Sequence, residues 1–276
     1  MRFARATSLA LAGGLIMSLL AATPAQADPG PPPSSMASMG DSITQAFNSS
    51  GWFSDWPSRS WSTGTYASVN SHYRRILAKN PAINGRNYNH SVSGAKADDM
   101  PGQATGVVGR GVQYVTILIG ANDACTSSEA SMTPVSTFRA HINTALNTIK
   151  TGLPNAKVAL VSVPDIKRLW FIGKDNSSAR STWSNFGICQ SMLANPTSTA
   201  AADEDRRNRV RQRVIDFNTQ LAQACLAYGS NCDFDGNAVF NYPFLLSHMS
   251  TWDYFHPNVS GQTVLASVSY ANGFNW

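Results

Sequence analysis

Short apolar runs alternate along the chain with longer segments in which apolar residues recur every three or four positions. Met36 to Met39, Arg86 to Asn89, Val112 to Ile119 and Lys157 to Val163 read as strands. Tyr66 to Lys79, Val135 to Lys150, Glu204 to Tyr228 and Val259 to Ser269 read as helices. The stretch Lys157 to Val163 is nearly continuous in apolar residues, which predicts a strand buried on both faces. The longest helix gathers Val210, Val214, Phe217, Leu221 and Tyr228 on one face and carries Asp203, Glu204 and Asp205 at its electropositive start. Strands spaced by helices imply a parallel sheet covered on both sides, hence a three-layer α/β/α architecture.

Ahead of the first strand the pattern changes. Arg2 and Arg5 precede an apolar run from Leu9 to Ala22 and a small-x-small triplet, Ala25-Gln26-Ala27. This order predicts a cleavable secretion signal over residues 1–27, the run being shorter than the roughly 20 residues a membrane span needs. Pro29, Pro31, Pro32 and Pro33 predict an extended leader over residues 28–35. A single domain is expected over 36–276, in a secreted and monomeric protein.

Composition narrows the function. A net charge of +5 with only 13% charged residues excludes a dedicated nucleic-acid binder. The basic cluster from Arg206 to Arg213 is expected to be a solvated helix face, with attraction to anionic lipid surfaces as the alternative. The four cysteines, Cys125, Cys189, Cys225 and Cys232, favour two disulfides in an oxidising compartment, with three connectivities open. Cys225 and Cys232 bracket a helix end and a turn, so a local bridge is geometrically easy and leaves Cys125 for Cys189.

In a parallel α/β sheet, ligands bind beyond the carboxyl ends of the strands. Four short blocks fall at such places or near the C-terminus: Gly40-Asp41-Ser42, Ser93-Gly94-Ala95, Gly120-Ala121-Asn122-Asp123 and Asp253-Tyr254-Phe255-His256. A serine hydroxyl needs a base within hydrogen-bond reach, itself oriented by a third group. Ser42, Asp253 and His256 supply these in the order nucleophile, acid, base, with Asp253 three positions before His256. Acyl transfer also needs donors facing the developing oxyanion, and the Ser42 N–H, Gly94 and Asn122 suit that role. Asp41 and Asp123 are expected to support the loops. The competing view of Ser42 is a turn serine, since Gly-Asp-Ser is good turn chemistry. His248 with Asp253 and His256 is a weak metal set, because no Cys-x-x-Cys or His-x-x-x-His accompanies it; no metal or cofactor is expected.

Taken together, Ser42 in Gly-Asp-Ser-Ile, Gly94 in Ser-Gly-Ala, Asn122 in Gly-Ala-Asn-Asp and His256 in Asp-x-x-His resemble the four blocks of the SGNH hydrolases, also called the GDSL family. Ile43 stands where leucine is usual, a conservative change. The resemblance implies a flavodoxin-like α/β/α fold and ester hydrolysis through an acyl-enzyme. In that family the group orienting the histidine is sometimes a backbone carbonyl in place of a carboxylate. Arg59 to Gly64, Gly187 to Gln190 and Trp252 to His256 further look like the secreted actinomycete phospholipases A1. That likeness implies metal-independent hydrolysis of phospholipid acyl esters with transient lipid-surface contact. A general lipase or carboxylesterase, a carbohydrate O-acetyl esterase and a glycan-binding module are the competing readings. No Gly-x-Ser-x-Gly occurs, which disfavours an α/β-hydrolase. Trp52, Phe53, Trp56 and Trp61 are expected either to line an acyl pocket or to pack a loop, and Leu169 to Asn195 either to overhang the site or to pack onto the core.

Overall fold

The computed structural model describes Met1 and residues 29–276; the expected signal segment lies, apart from Met1, outside the described residues. Five strands form one parallel sheet: β1 (Met36–Gly40), β2 (Asn87–Asn89), β3 (Tyr114–Leu118), β4 (Lys157–Leu160) and β5 (Cys232–Phe234). Their order is β2-β1-β3-β4-β5, so the chain reverses direction across the sheet between β1 and β3. Every residue of β1 and β3 is buried, as a sheet covered on both faces requires.

Ten α-helices accompany the sheet among the described residues. In chain order they are α1 (His72–Lys79), α2 (Met100–Val108), α3 (Ala121–Ala124), α4 (Val135–Gly152), α5 (Ile166–Gly173), α6 (Ser177–Asn185), α7 (Gln190–Leu193), α8 (Ala201–Tyr228), α9 (Ala238–Asn241) and α10 (Val259–Ala271). The register explains how they divide. Met36, Tyr114 and Ala159 face one side, where they pack with Tyr73 and Ile76 of α1, Tyr270 of α10, and Phe274 and Trp276. Ala37, Met39, Val115, Ile117, Val158 and Leu160 face the other, in the core shared with Ala104 and Val107 of α2, Ile142 and Ile149 of α4, and Val214 and Phe217 of α8. The three-layer α/β/α expectation describes this arrangement.

Some boundaries differ from the sequence reading, for local reasons. The helix expected from Tyr66 begins at His72, because Ser71 Oγ accepts the Arg74 N–H as an N-cap and Asn70 before it has φ +48°. Helix α2 was not expected, since Pro101, Gly102 and Gly106 interrupt its pattern. Strand β5 has three half-buried residues and carries too short a pattern to read. The leader is pinned to the domain: the carbonyls of Pro29 and Pro32 accept from Trp276 Nε1 and Asn80 Nδ2, and Ser34 bonds Gln113.

The basic cluster is a solvated face only in part, at Arg209 and Arg211. Arg206 donates to the carbonyls of Gln190, Ser191 and Ala194, and Arg213 to that of Thr133. Arg207 is fully buried over the Trp170 ring and pairs with Glu204, while Arg209 and Arg211 pair with Glu129 and Asp165. These side chains tie α8 to the segments beside it. Both disulfides form as expected, Cys125 with Cys189 and Cys225 with Cys232.

Candidate active site

The site is built on the turn after β1. Gly40 ends the strand at φ +148°, and a Cβ there would collide with the Leu118 carbonyl and Thr44, so only glycine fits. Gln103 of α2 clamps it from both sides, accepting the Gly40 N–H at 2.8 Å and donating to its carbonyl at 2.9 Å. Gln262 of α10 holds the next part of the loop through the Ile43 carbonyl at 2.8 Å, and it also accepts the Trp61 N–H. Between these clamps sits Ser42, 6% exposed.

Asp41 is buried beneath the nucleophile turn. One carboxylate oxygen accepts the Ile43 N–H at 2.8 Å, while Oδ2 has no hydrogen-bond partner. Burial pushes this carboxyl up to about 7 against the opposing Ile43 hydrogen bond and the nearby His256. Asp123 accepts the Ala97 N–H and so ties the Asn122 turn to the segment after Gly94.

His256 arrives from the loop before α10. Its Nε2 lies 2.8 Å from Ser42 Oγ and its Nδ1 2.7 Å from Asp253 Oδ2. Asp253 Oδ1 accepts the backbone N–H groups of Phe255 and His256, so an Asx-type turn fixes the carboxylate relative to the ring. Burial acts to raise the Asp253 carboxyl, but hydrogen bonds from His256 and Asn48 outweigh it and hold the group below its ordinary value. An ionised Asp253 requires the proton on Nδ1, which leaves Nε2 to accept from the serine hydroxyl.

The donors expected for an oxyanion lie around the same cleft. Gly94 has φ +87° with open space where a Cβ would stand, so backbone conformation and not crowding selects glycine. The backbone N–H groups of Ser42 and Gly94 donate to no backbone acceptor among the described residues. Asn122, on α3 after β3, uses one amide proton on the Ala95 carbonyl at 2.9 Å, which leaves the second. Ser42, Gly94, Asn122, Asp253 and His256 all line one cleft of about 320 Å³. The structure thus brings together every site residue expected from the sequence. His248 stands apart from this set, its Nδ1 accepting from Leu245 N–H.

Aromatic side chains rim the cleft. Phe47, Trp52, Phe53 and Phe186 line it with Ile188 and the Cys125–Cys189 bridge. Trp52 stacks edge-on to Phe53 and Phe186 and lies 5.6 Å from Trp252. These four rings remain 42 to 65% exposed, so they form a surface patch and not a core. The Leu169 to Asn195 segment packs onto the core through Trp170 and Trp183, and its Phe186 and Ile188 line the cleft. Trp61 is fully buried and packs the loop. A second, smaller apolar cavity lies across Phe255, bounded by Ile43, Ala121, Leu169, Ile172 and Phe244.

Comparison with known proteins came to the same region of fold space. The family model described as GDSL-like Lipase/Acylhydrolase matches residues 36–268. No curated protein matches the chain in sequence. Among solved structures, a protein described as a GDSL-like lipase from Parabacteroides merdae ATCC 43184 is 17% identical over 86% of this chain and 94% of its own, with a TM-score of 0.53. An acetylxylan esterase from Geobacillus stearothermophilus is 14% identical over 86% and 93%, with a TM-score of 0.54. Phospholipase A1 from Streptomyces albidoflavus NA297 is 15% identical over 83% and 94%, at a TM-score of 0.45. At such identities the first two likenesses concern the fold alone, and the third is too loose to carry an argument.

Proposed function

The chain belongs to the GDSL-like lipase/acylhydrolase family, and from that premise we propose that it hydrolyses acyl esters of phospholipids through an acyl-enzyme on Ser42. In this reading Ser42 Oγ attacks the ester carbonyl carbon while His256 Nε2 takes the hydroxyl proton. Asp253 holds the imidazole and stabilises the imidazolium that forms. The oxyanion is met by the Ser42 N–H, the Gly94 N–H and the free amide proton of Asn122. Collapse breaks the bond to the leaving alcohol, which receives the proton from His256. Water then gives its proton to the same nitrogen and attacks the acyl-enzyme, releasing the carboxylic acid and restoring Ser42.

The observation that carries the choice of lipid esters is the exposed ring cluster of Trp52, Phe53 and Phe186 at the mouth of the cleft, with Trp252 against Trp52. Exposed aromatic clusters suit an interface that is apolar on one side and wet on the other. A long acyl chain leaving the cleft would lie against these rings, a contact that an acetyl group is too short to make. The test compares turnover of phosphatidylcholine vesicles, with different acyl chains at the two glycerol positions, against an acetylated sugar. The reading expects faster turnover of the vesicles, and release from the first position marks an A1 enzyme. Preference for the acetylated sugar would replace it with a carbohydrate esterase.

We also propose export with removal of residues 1–27. The basic, apolar and small-residue order of that segment and the two disulfides support it. The N-terminal sequence of the exported protein should start at Asp28.

A further inference from the structure

Asn48 occupies an unusual position in the loop that follows the nucleophile. It is 2% exposed, has φ +56°, and is anchored at three backbone or side-chain points. Its N–H donates to the Ser54 carbonyl, its own carbonyl accepts from Ser250 Oγ at 2.8 Å, and its Nδ2 donates to Asp253 Oδ2 at 2.6 Å. Its Oδ1 is buried without a partner. The amide therefore gains nothing from its acceptor side, and turning it over would set oxygen against carboxylate oxygen; the positive φ suits asparagine, and the donor to Asp253 fixes how its amide is oriented.

Four donors surround the Asp253 carboxylate. Three come from its own turn, namely the Phe255 N–H, the His256 N–H and His256 Nδ1. The fourth is Asn48, 205 positions away in sequence, and it shares Oδ2 with the imidazole. Among the described residues it is thus the one hydrogen bond that ties the carboxylate directly to the nucleophile loop.

We propose that Asn48 is a positioning residue that couples the Ser42 loop to the Asp253–His256 pair and tempers the charge that Asp253 presents to the imidazole. The proposal rests on the acyl-transfer reading of the site. A donor on Oδ2 withdraws negative charge from the oxygen facing Nδ1. Removing it leaves Asp253 a stronger partner for the imidazolium, so the acid limb of kcat/KM moves to higher pH. The charged groups facing His256 are Asp253 and, behind Ser42, Asp41, with Asp123 beyond it. Neither Asp41 nor Asp123 is bonded to Asn48, so their contributions are common to the parent and the variant.

The experiment measures kcat/KM against pH on a water-soluble ester for Asn48→Ala, Asn48→Asp and Asp253→Asn, and for Asn48→Ala combined with Asp253→Asn. Asn48→Ala should lose about tenfold in kcat with little change in KM, and its acid limb should rise by some tenths of a pH unit. Asn48→Asp, nearly identical in shape, should raise the limb further by adding a second carboxylate and lose more activity. In the Asp253→Asn background the alanine substitution should cost less than twofold. An unshifted limb in a folded Asn48→Ala or Asn48→Asp protein, or full additivity in the double variant, would overturn the proposal. Should Ser42→Ala retain activity, the acyl-enzyme reading itself fails, which is a separate outcome.

Discussion

His256 Nε2 stands 2.8 Å from Ser42 Oγ although 214 positions separate the two residues. The turn after β1 and the loop before α10 meet there through bonds that do not involve either side chain. Gln262 holds the Ile43 carbonyl, and Ser250 Oγ holds the Asn48 carbonyl. The meeting of the two loops is therefore set by the scaffold, and removing the serine hydroxyl should not disturb that scaffold. Ser42→Ala is expected to lower kcat on any ester by about 10⁴-fold or more, with an unchanged thermal midpoint. His256→Ala should cost a similar factor, and the double variant little beyond either single one, because the two act as a unit. Additive losses would mean that the residues work separately.

Asn122 presents a different kind of test. One of its amide protons is spent on the Ala95 carbonyl, so its orientation is fixed before substrate arrives. A preorganised donor of this kind is worth about 3 kcal/mol in the transition state and little in the ground state. Asn122→Ala should therefore lower kcat by about 10²–10³-fold and leave KM within about twofold. A rise in KM at constant kcat would assign Asn122 to substrate binding instead.

Much of the site was legible because chemistry and topology coincide: Ser42, Gly94 and Asn122 each fall beyond the end of a strand, and Asp253 and His256 share one turn. The parallel architecture was equally legible from continuous apolar runs such as Lys157 to Val163. What stayed hidden are the residues that hold the site from a distance. Asn48 lies in an aperiodic loop, and nothing in its neighbourhood points to a partner 205 positions away. Gln103 and Gln262 did leave a trace. Met100, Ala104 and Val107 place Gln103 on the buried face of α2, and Leu265, Ala266 and Ser269 do the same for Gln262 on α10. A polar residue on an apolar helix face has to find a partner, and here both find the nucleophile turn. For Gln103 that trace is faint, because Pro101 and two glycines dilute the apolar pattern of α2 and hid the helix itself.

The buried Asp41 makes folding stability depend on pH. Its carboxyl titrates near 3.8 when exposed and at about 7 in the folded protein, chiefly because burial disfavours the charge. Between those values the folded state holds a proton that the unfolded state has lost, so stability falls as pH rises from about 4 to about 7 and is level above. The full effect is at most on the order of 4 kcal/mol. Asp41→Asn should remove this slope. Urea unfolding at pH 5 and pH 8 is the measurement, and the variant should gain on the parent at pH 8 relative to pH 5. An equal difference at both values would show that Asp41 ionises freely in the folded protein.

The two disulfides should differ in both stability and activity. Cys225 and Cys232 are 7 positions apart, whereas Cys125 and Cys189 are 64 apart. On the chain-entropy account the longer loop contributes about 4 kcal/mol and the shorter about 2.5 kcal/mol. Location adds a second difference. Cys125 closes α3, which carries Asn122, and Cys189 follows the cleft-lining Phe186 and Ile188, so this bridge joins the Asn122 helix to the aromatic wall. The Cys225–Cys232 bridge links the end of α8 to β5, and neither cysteine lines the cleft. Replacing Cys125 and Cys189 by serine should therefore lower the urea midpoint more than replacing Cys225 and Cys232. It should also reduce turnover of phospholipid vesicles several-fold more than turnover of a short soluble ester, while the other pair leaves that ratio unchanged. Equal ratios in the two variants would show that the wall holds its place without the bridge.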